Sequence, residues 1–130
     1  MRSLRLLFPL LCWLCTTACA QTATDLGPDA FEAALPLPAE RTQVLIDVRT
    51  PAEYAEGHLP GARLMNVYDD DFEERLGALD RDRTYYVYCK SGVRSGKAAD
   101  RMVALGFRRV VGLDGGYRAW QRAGKPVERK

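Results

Sequence analysis

Histidine is all but missing from this 130-residue chain: His58 is the only one. Cysteine is nearly as scarce where it counts, because three of its four copies, Cys12, Cys15 and Cys19, crowd into the N-terminus and leave Cys89 alone. One cysteine and one histidine fall short of a metal ligand set, so no metal or other cofactor is expected. A single cysteine cannot close an internal disulfide. An excess of one charge is also lacking. There are 19 Lys and Arg against 17 Asp and Glu, and setting aside Arg2 and Arg5 leaves 17 against 17. A balanced domain gives no bulk electrostatic reason to bind nucleic acid or a membrane surface. The apolar run over residues 6–14 is too short to cross a bilayer, which takes roughly 17–25 residues. Internal repeats and low-complexity segments are absent as well. Hydrophobic content of 47% and charged content of 28% are ordinary for a globular domain. The length suits one domain rather than two.

The N-terminus reads as a targeting segment. Two arginines precede the apolar run, and residues 16–20 are small and uncharged. That is the order of a secretory signal peptide. The expected division is a signal peptide over 1–20 and a single domain over 21–130. Ala18-Cys19-Ala20 fits cleavage after Ala20, which would send the protein to the periplasm or outside the cell. Thr16-Thr17-Ala18-Cys19 offers a competing lipoprotein reading, with Thr16 where an aliphatic residue is usual. Only that reading, with lipid on Cys19, would tie the protein to a membrane. A lone thiol in an oxidising compartment is a liability unless buried or used. Cys89 precedes Lys90-Ser91-Gly92, a polar, turn-like stretch that does not suit an inert core cysteine.

Apolar runs and periodicity divide the rest. Residues 21–24 are expected to be a disordered tether. Residues 28–35 suit a short helix opened by Pro28, and 37–41 a proline-bearing loop. Residues 44–48 form a continuous apolar run, the mark of a strand buried on both faces. Thr50 suits a helix N-cap before Pro51, with a helix through Tyr54 and Gly57 ending it. A weaker strand is expected over 62–67. Asp69, Asp70 and Asp71 precede a helix carrying Phe72, Leu76 and Leu79, where acids favour the helix dipole. Residues 84–88 are strongly β-prone, 95–105 helical by period, 110–113 a buried strand and 115–123 a last helix. Alternating strands and helices predict an α/β domain with a parallel sheet and helices on both faces. Ligands of such sheets sit beyond the carboxyl ends of the strands, which is where Cys89 falls.

The stretch from Cys89 to Ser95 is therefore a strand–loop–helix element. Gly92 allows backbone conformations closed to other residues. Backbone N–H groups of Lys90, Ser91, Gly92, Val93, Arg94 and Ser95 are expected to converge on the sulfur as an anion cradle, helped by the following helix. Lys90 and Arg94 would add positive charge. Such settings bring cysteine pKa values to about 3.5–7.5.

These residues resemble the active-site loop of rhodanese sulfurtransferases, whose single-domain members often read C-x-x-G-x-R-S. Two further stretches share the resemblance. Asp47-Val48-Arg49, Glu53-Tyr54 and Gly57-His58-Leu59-Pro60-Gly61-Ala62 match the family's upstream signature. Leu113-Asp114-Gly115-Gly116-Tyr117-Arg118-Ala119-Trp120 matches its usual ending. The likeness spans about residues 25–127. It implies a rhodanese-like fold with a parallel sheet of about five strands flanked by helices on both faces. It also implies that Cys89 takes a sulfane sulfur from a donor such as thiosulfate and passes it, from a persulfide, to cyanide, a thiol or a protein acceptor. Phosphatases and arsenate reductases of related fold separate cysteine and arginine by five residues. Here Lys90, Ser91, Gly92 and Val93 make four, which suits one sulfur atom. Two alternatives stay open: a persulfide carrier serving a dedicated partner, and a binding or redox-sensing module without small-molecule turnover.

The remaining polar residues read as structural. Asp47, Arg49 and Glu53 could form an acid–base set but suit a salt-bridge brace better, with Asp47 and Arg49 supporting the site. His58 is expected to support the fold. Tyr85, Tyr86 and Tyr88 suit sheet packing, and the arginines at 81, 83, 108 and 109 suit the surface.

Overall fold

The computed structural model describes residues 21–130; the expected signal peptide, its cleavage site and the lipobox lie outside them. Strands and helices alternate from end to end. The strands are β1 (Thr22–Leu26), β2 (Leu45–Asp47), β3 (Arg63–Leu64), β4 (Thr84–Tyr88) and β5 (Arg109–Leu113). The helices are α1 (Pro28–Ala34), α2 (Pro51–Glu56), α3 (Phe72–Gly77), α4 (Val93–Ala104) and α5 (Gly116–Arg122), with a 3-10 helix at Pro38–Gln43. All pairings are parallel, in the order β1-β5-β4-β2-β3. Five parallel strands with helices around them is the expected architecture.

Strand alternation divides the core into two layers. Ile46, Tyr85, Val87 and Val110 face one side, where Phe72 and Leu76 of α3 and Ala98 and Met102 of α4 cover them. Leu45, Tyr88, Val111 and Leu113 face the other, against Phe31 of α1 and Tyr117 and Trp120 of α5. A sheet covered on both faces explains the unbroken apolar runs of β2 and β5.

Three local expectations are corrected. Residues 21–24 are no free tether: β1 pairs with β5 in register Thr22↔Arg109 through Leu26↔Leu113. Its side chains are almost all exposed, so an edge strand held by backbone bonds leaves no apolar pattern to read. Residues 37–41 lie largely within the 3-10 helix. The strand expected over 62–67 shortens to Arg63–Leu64, although Met65 N still donates to Asp47 O at 2.8 Å and Val67 N to Val48 O at 3.1 Å. Elsewhere only ends shift: α4 begins at Val93, two residues early, and α2 continues to Glu56. Thr50 caps α2 as expected, its side chain accepting from Glu53 N at 3.3 Å.

Candidate functional site

β4 is the middle strand, and Cys89 follows it directly at the carboxyl end. The residue is 1% exposed. Gly92 N donates to its Sγ at 3.1 Å, and Ser95 Oγ lies 3.4 Å from the same sulfur. The Ser95 hydroxyl has a second acceptor, Gly92 O, at 3.3 Å. It has one proton, and an anionic sulfur competes for it better than a neutral carbonyl. Burial pushes the Cys89 thiol pKa up. The Ser95 hydroxyl and the amides of Ser95, Gly92 and Ser91 pull it down, and the balance falls below the ordinary thiol value. The groups that hold the thiolate are therefore neutral dipoles aimed at one atom.

Gly92 makes that aim possible. Its φ of 104° turns the chain into α4 in the left-handed region. The opposite edges of the loop peptides are anchored by α5. Tyr117 N donates to Cys89 O at 2.8 Å, and Arg118 N to Lys90 O at 3.1 Å. A peptide is planar with its C=O and N–H on opposite edges. Drawing Lys90 O toward α5 thus turns Ser91 N–H the other way, onto the sulfur. Gly116 is what lets α5 come so near. Its φ is 60°, and a Cβ there would stand 2.6 Å from Cys89 O and 2.7 Å from Lys90 O. The role of Gly116 and Tyr117 was not read from the sequence. The paired glycines opening the last helix were its only local signal.

Arg94 has a partner in α2. Its guanidinium makes a two-pronged ion pair with Glu53 at 2.9 and 2.8 Å. That pair, chiefly its hydrogen bonds, raises the Arg94 pKa and lowers that of Glu53. Arg94 also feels the charge of Cys89, but it shares its own with α2. Lys90 is exposed and, with Arg49, Glu53, Glu56, Tyr117 and Gln121, lines a polar cleft of about 250 Å³. Ser91 is exposed, and Val93 stands well out in solvent.

Asp47 and Arg49 form a brace beneath the loop. The Asp47 carboxylate is fully buried. It accepts from Arg49 Nη2 at 2.7 Å, Arg49 N at 2.9 Å and the Tyr88 hydroxyl at 2.6 Å. Burial, then the Asp47 charge, push the Tyr88 phenol well up, so it stays a neutral donor. Arg49 donates onward to Gly57 O at 2.6 Å and lies 4.2 Å over the Tyr117 ring. Tyr117 is the residue whose amide holds the Cys89 carbonyl. The only histidine takes no part: His58 stacks on Tyr54, its Nδ1 lies 2.9 Å from Tyr54 O and its Nε2 3.4 Å from Glu128. Among the described residues no group of three His, Cys, Asp or Glu could hold a metal ion.

Residues 30–123 match the family model of the Rhodanese-like domain. The chain belongs to the rhodanese-like family. The comparisons with single proteins agree. It is 38% identical over 84 residues to a sulfurtransferase of Allochromatium vinosum, covering 65% of this chain and 77% of that one. It is 40% identical over 90 residues to the probable adenylyltransferase/sulfurtransferase MoeZ of Mycobacterium tuberculosis. That match covers 69% of this chain but only 23% of the relative's length. Among solved structures, a rhodanese-like domain protein from Staphylococcus aureus superimposes with a TM-score of 0.66 at 28% identity, covering 82% of this chain and 98% of that one. Cys89–Ser95 lies within the matched residues.

Proposed function

We propose that this protein is a sulfurtransferase that carries sulfur as a persulfide on Cys89, with residues 90–95 holding the anion. The observation that carries the reading is the set of neutral donors converging on one buried sulfur. Such a set stabilises a thiolate without a general base, and no histidine is needed or supplied. With thiosulfate as donor, the Cys89 thiolate attacks the outer sulfur. The bond between the two thiosulfate sulfurs breaks, and sulfite leaves with its electron pair. The persulfide, held by the same amides, then gives its outer sulfur to cyanide or a thiol, and the electron pair returns to Cys89.

The test is turnover of thiosulfate with cyanide by wild type and Cys89→Ser. The expected result is turnover in the first and none in the second, because a hydroxyl cannot form a persulfide. Activity near wild type in Cys89→Ser would assign the chemistry to another residue. We further propose export to the periplasm or beyond with cleavage after Ala20, supported by the charged, apolar and small order of residues 1–20. Gln21 as the N-terminus of the mature protein is the expected finding. A diacylated Cys19 would replace it with a membrane-tethered enzyme.

A further inference from the structure

Three large apolar side chains stand out in solvent among the described residues: Leu37, Tyr68 and Val93. Two of them flank the Cys89 loop. Val93, 64% exposed, follows Gly92, whose amide holds the sulfur. Tyr68, 67% exposed, has its ring 6.0 Å from the Arg94 guanidinium. The chemistry proposed above uses neither apolar side chain.

Single exposed apolar residues are ordinary; the surface that continues from these two is not. A groove of about 290 Å³ runs between residues 67–73 and α4, lined by Val67, Phe72 and Ala98. Asp69 and Asp70, beside Tyr68 in sequence, form part of its wall. Lys97 and Arg101, also in the groove, follow Val93 at four-residue steps on one face of α4. The groove's two walls thus start next to Tyr68 and one helical turn after Val93, which makes one surface of the groove and these two side chains. Its charges are unevenly spent. Glu73 is bound to Arg101 at 2.7 Å, and Asp69 lies 3.8 Å from Arg75. Asp70 and Asp71 are exposed and form no ion pair among the described residues. Lys97, on the α4 wall, has none either, and neither does the exposed Lys90 of the loop, so the two unpaired negative charges are confined to the wall that carries Tyr68.

We infer that this surface docks the sulfur acceptor, and that the acceptor is a protein. Its thiol sits on a projecting, extended segment with an apolar side chain followed by basic residues. The inference rests on the persulfide reading of Cys89. Cys89 is nearly closed to solvent, and the outer sulfur of a persulfide reaches only about 2 Å further. A thiol at the end of a slender segment can meet it where a folded surface cannot. The apolar side chain packs on Tyr68 and the groove floor, and the basic residues meet Asp70 and Asp71. Cyanide needs none of this. In the transfer, the acceptor thiolate attacks the outer sulfur and forms the new sulfur–sulfur bond. The bond to Cys89 breaks, its electron pair stays on Cys89, and nothing is oxidised or reduced overall.

The test loads Cys89 with thiosulfate and follows transfer by mass spectrometry to three synthetic peptides: Cys-Gly-Leu-Lys-Lys, Cys-Gly-Leu-Glu-Glu and Cys-Gly-Ser-Lys-Lys. The first should react roughly tenfold faster, as kcat/KM, than either other, the size expected of one good apolar anchor or two exposed charge pairs. Its margin over the Glu peptide should shrink with added salt. Asp70→Asn with Asp71→Asn should erase the charge preference, and Tyr68→Ser the leucine preference. Both variants should keep wild-type turnover of thiosulfate with cyanide and wild-type circular dichroism. Equal rates with all three peptides, or preferences that survive the substitutions, overturn the docking surface and leave the persulfide chemistry standing. A wild-type protein that takes no sulfur overturns both.

Discussion

Gly116→Ala isolates the contribution of α5 to the sulfur loop. Gly116 has a φ of 60°, which costs an L-residue about 1–2 kcal/mol. Gly124 provides the control, because its φ is 67° and a Cβ there meets nothing within 4 Å. Gly124→Ala pays the backbone cost alone. At Gly116 the new methyl also meets Cys89 O at 2.6 Å and Lys90 O at 2.7 Å, both backbone atoms. The loop must retreat from Tyr117 N and Arg118 N, and the Ser91 N–H swings off the sulfur. Losing one hydrogen bond to a charged group costs about 1.5–3 kcal/mol. At 1.36 kcal/mol per unit, the Cys89 pKa should rise by about 1–2 units. At a fixed pH below the midpoint, kcat/KM should fall roughly ten- to a hundredfold. The assay is iodoacetamide alkylation rate against pH, paired with thiosulfate turnover and thermal unfolding. Gly124→Ala should lose stability and keep the wild-type alkylation midpoint. An unchanged midpoint in Gly116→Ala would refute the argument that α5 sets the loop.

Other perturbations address the brace, the ion pair and the thiolate. A double-mutant cycle on Arg94→Ala and Glu53→Gln should give a coupling of about 1 kcal/mol by urea unfolding, modest because the pair is partly exposed. Additive effects would separate the two residues. Asp47→Ala leaves the buried Arg49 charge unpaired and should cost about 3–5 kcal/mol in the same assay; a loss below 1 kcal/mol would remove the pair from the fold's supports. Because the folded pKa of Cys89 is depressed, its stabilisation is complete above the unfolded value, near ~8.5, and is lost as pH falls through the folded value. The stability advantage of wild type over Cys89→Ser should thus grow as pH rises from the folded value and level off above the unfolded one. A flat difference would mean that the thiol titrates alike in both states.

What the sequence disclosed follows from where each signal resides. The Cys89 loop was legible because its parts are contiguous: a β-prone run, a thiol, a glycine and a helix. The parallel sheet followed from apolar runs that only a sheet covered on both faces requires. β1 was hidden because Thr22–Leu26 turns nearly all its side chains to solvent and is held by backbone bonds to β5. The partner of Arg94 was hidden by distance, since Glu53 lies 41 residues away, and Arg94 looked free to serve an anion. Gly116 was hidden for the same reason. Its glycine requirement comes from carbonyls at Cys89 and Lys90, not from its own helix.

If Cys89 carries the sulfur, thiosulfate adds it to this one residue. Intact mass spectrometry of the mature protein before and after thiosulfate measures this directly. One added sulfur, about 32 Da, removed again by cyanide and absent in Cys89→Ser, is the predicted result. An unchanged mass in wild type, with the thiol shown to be free, would contradict it.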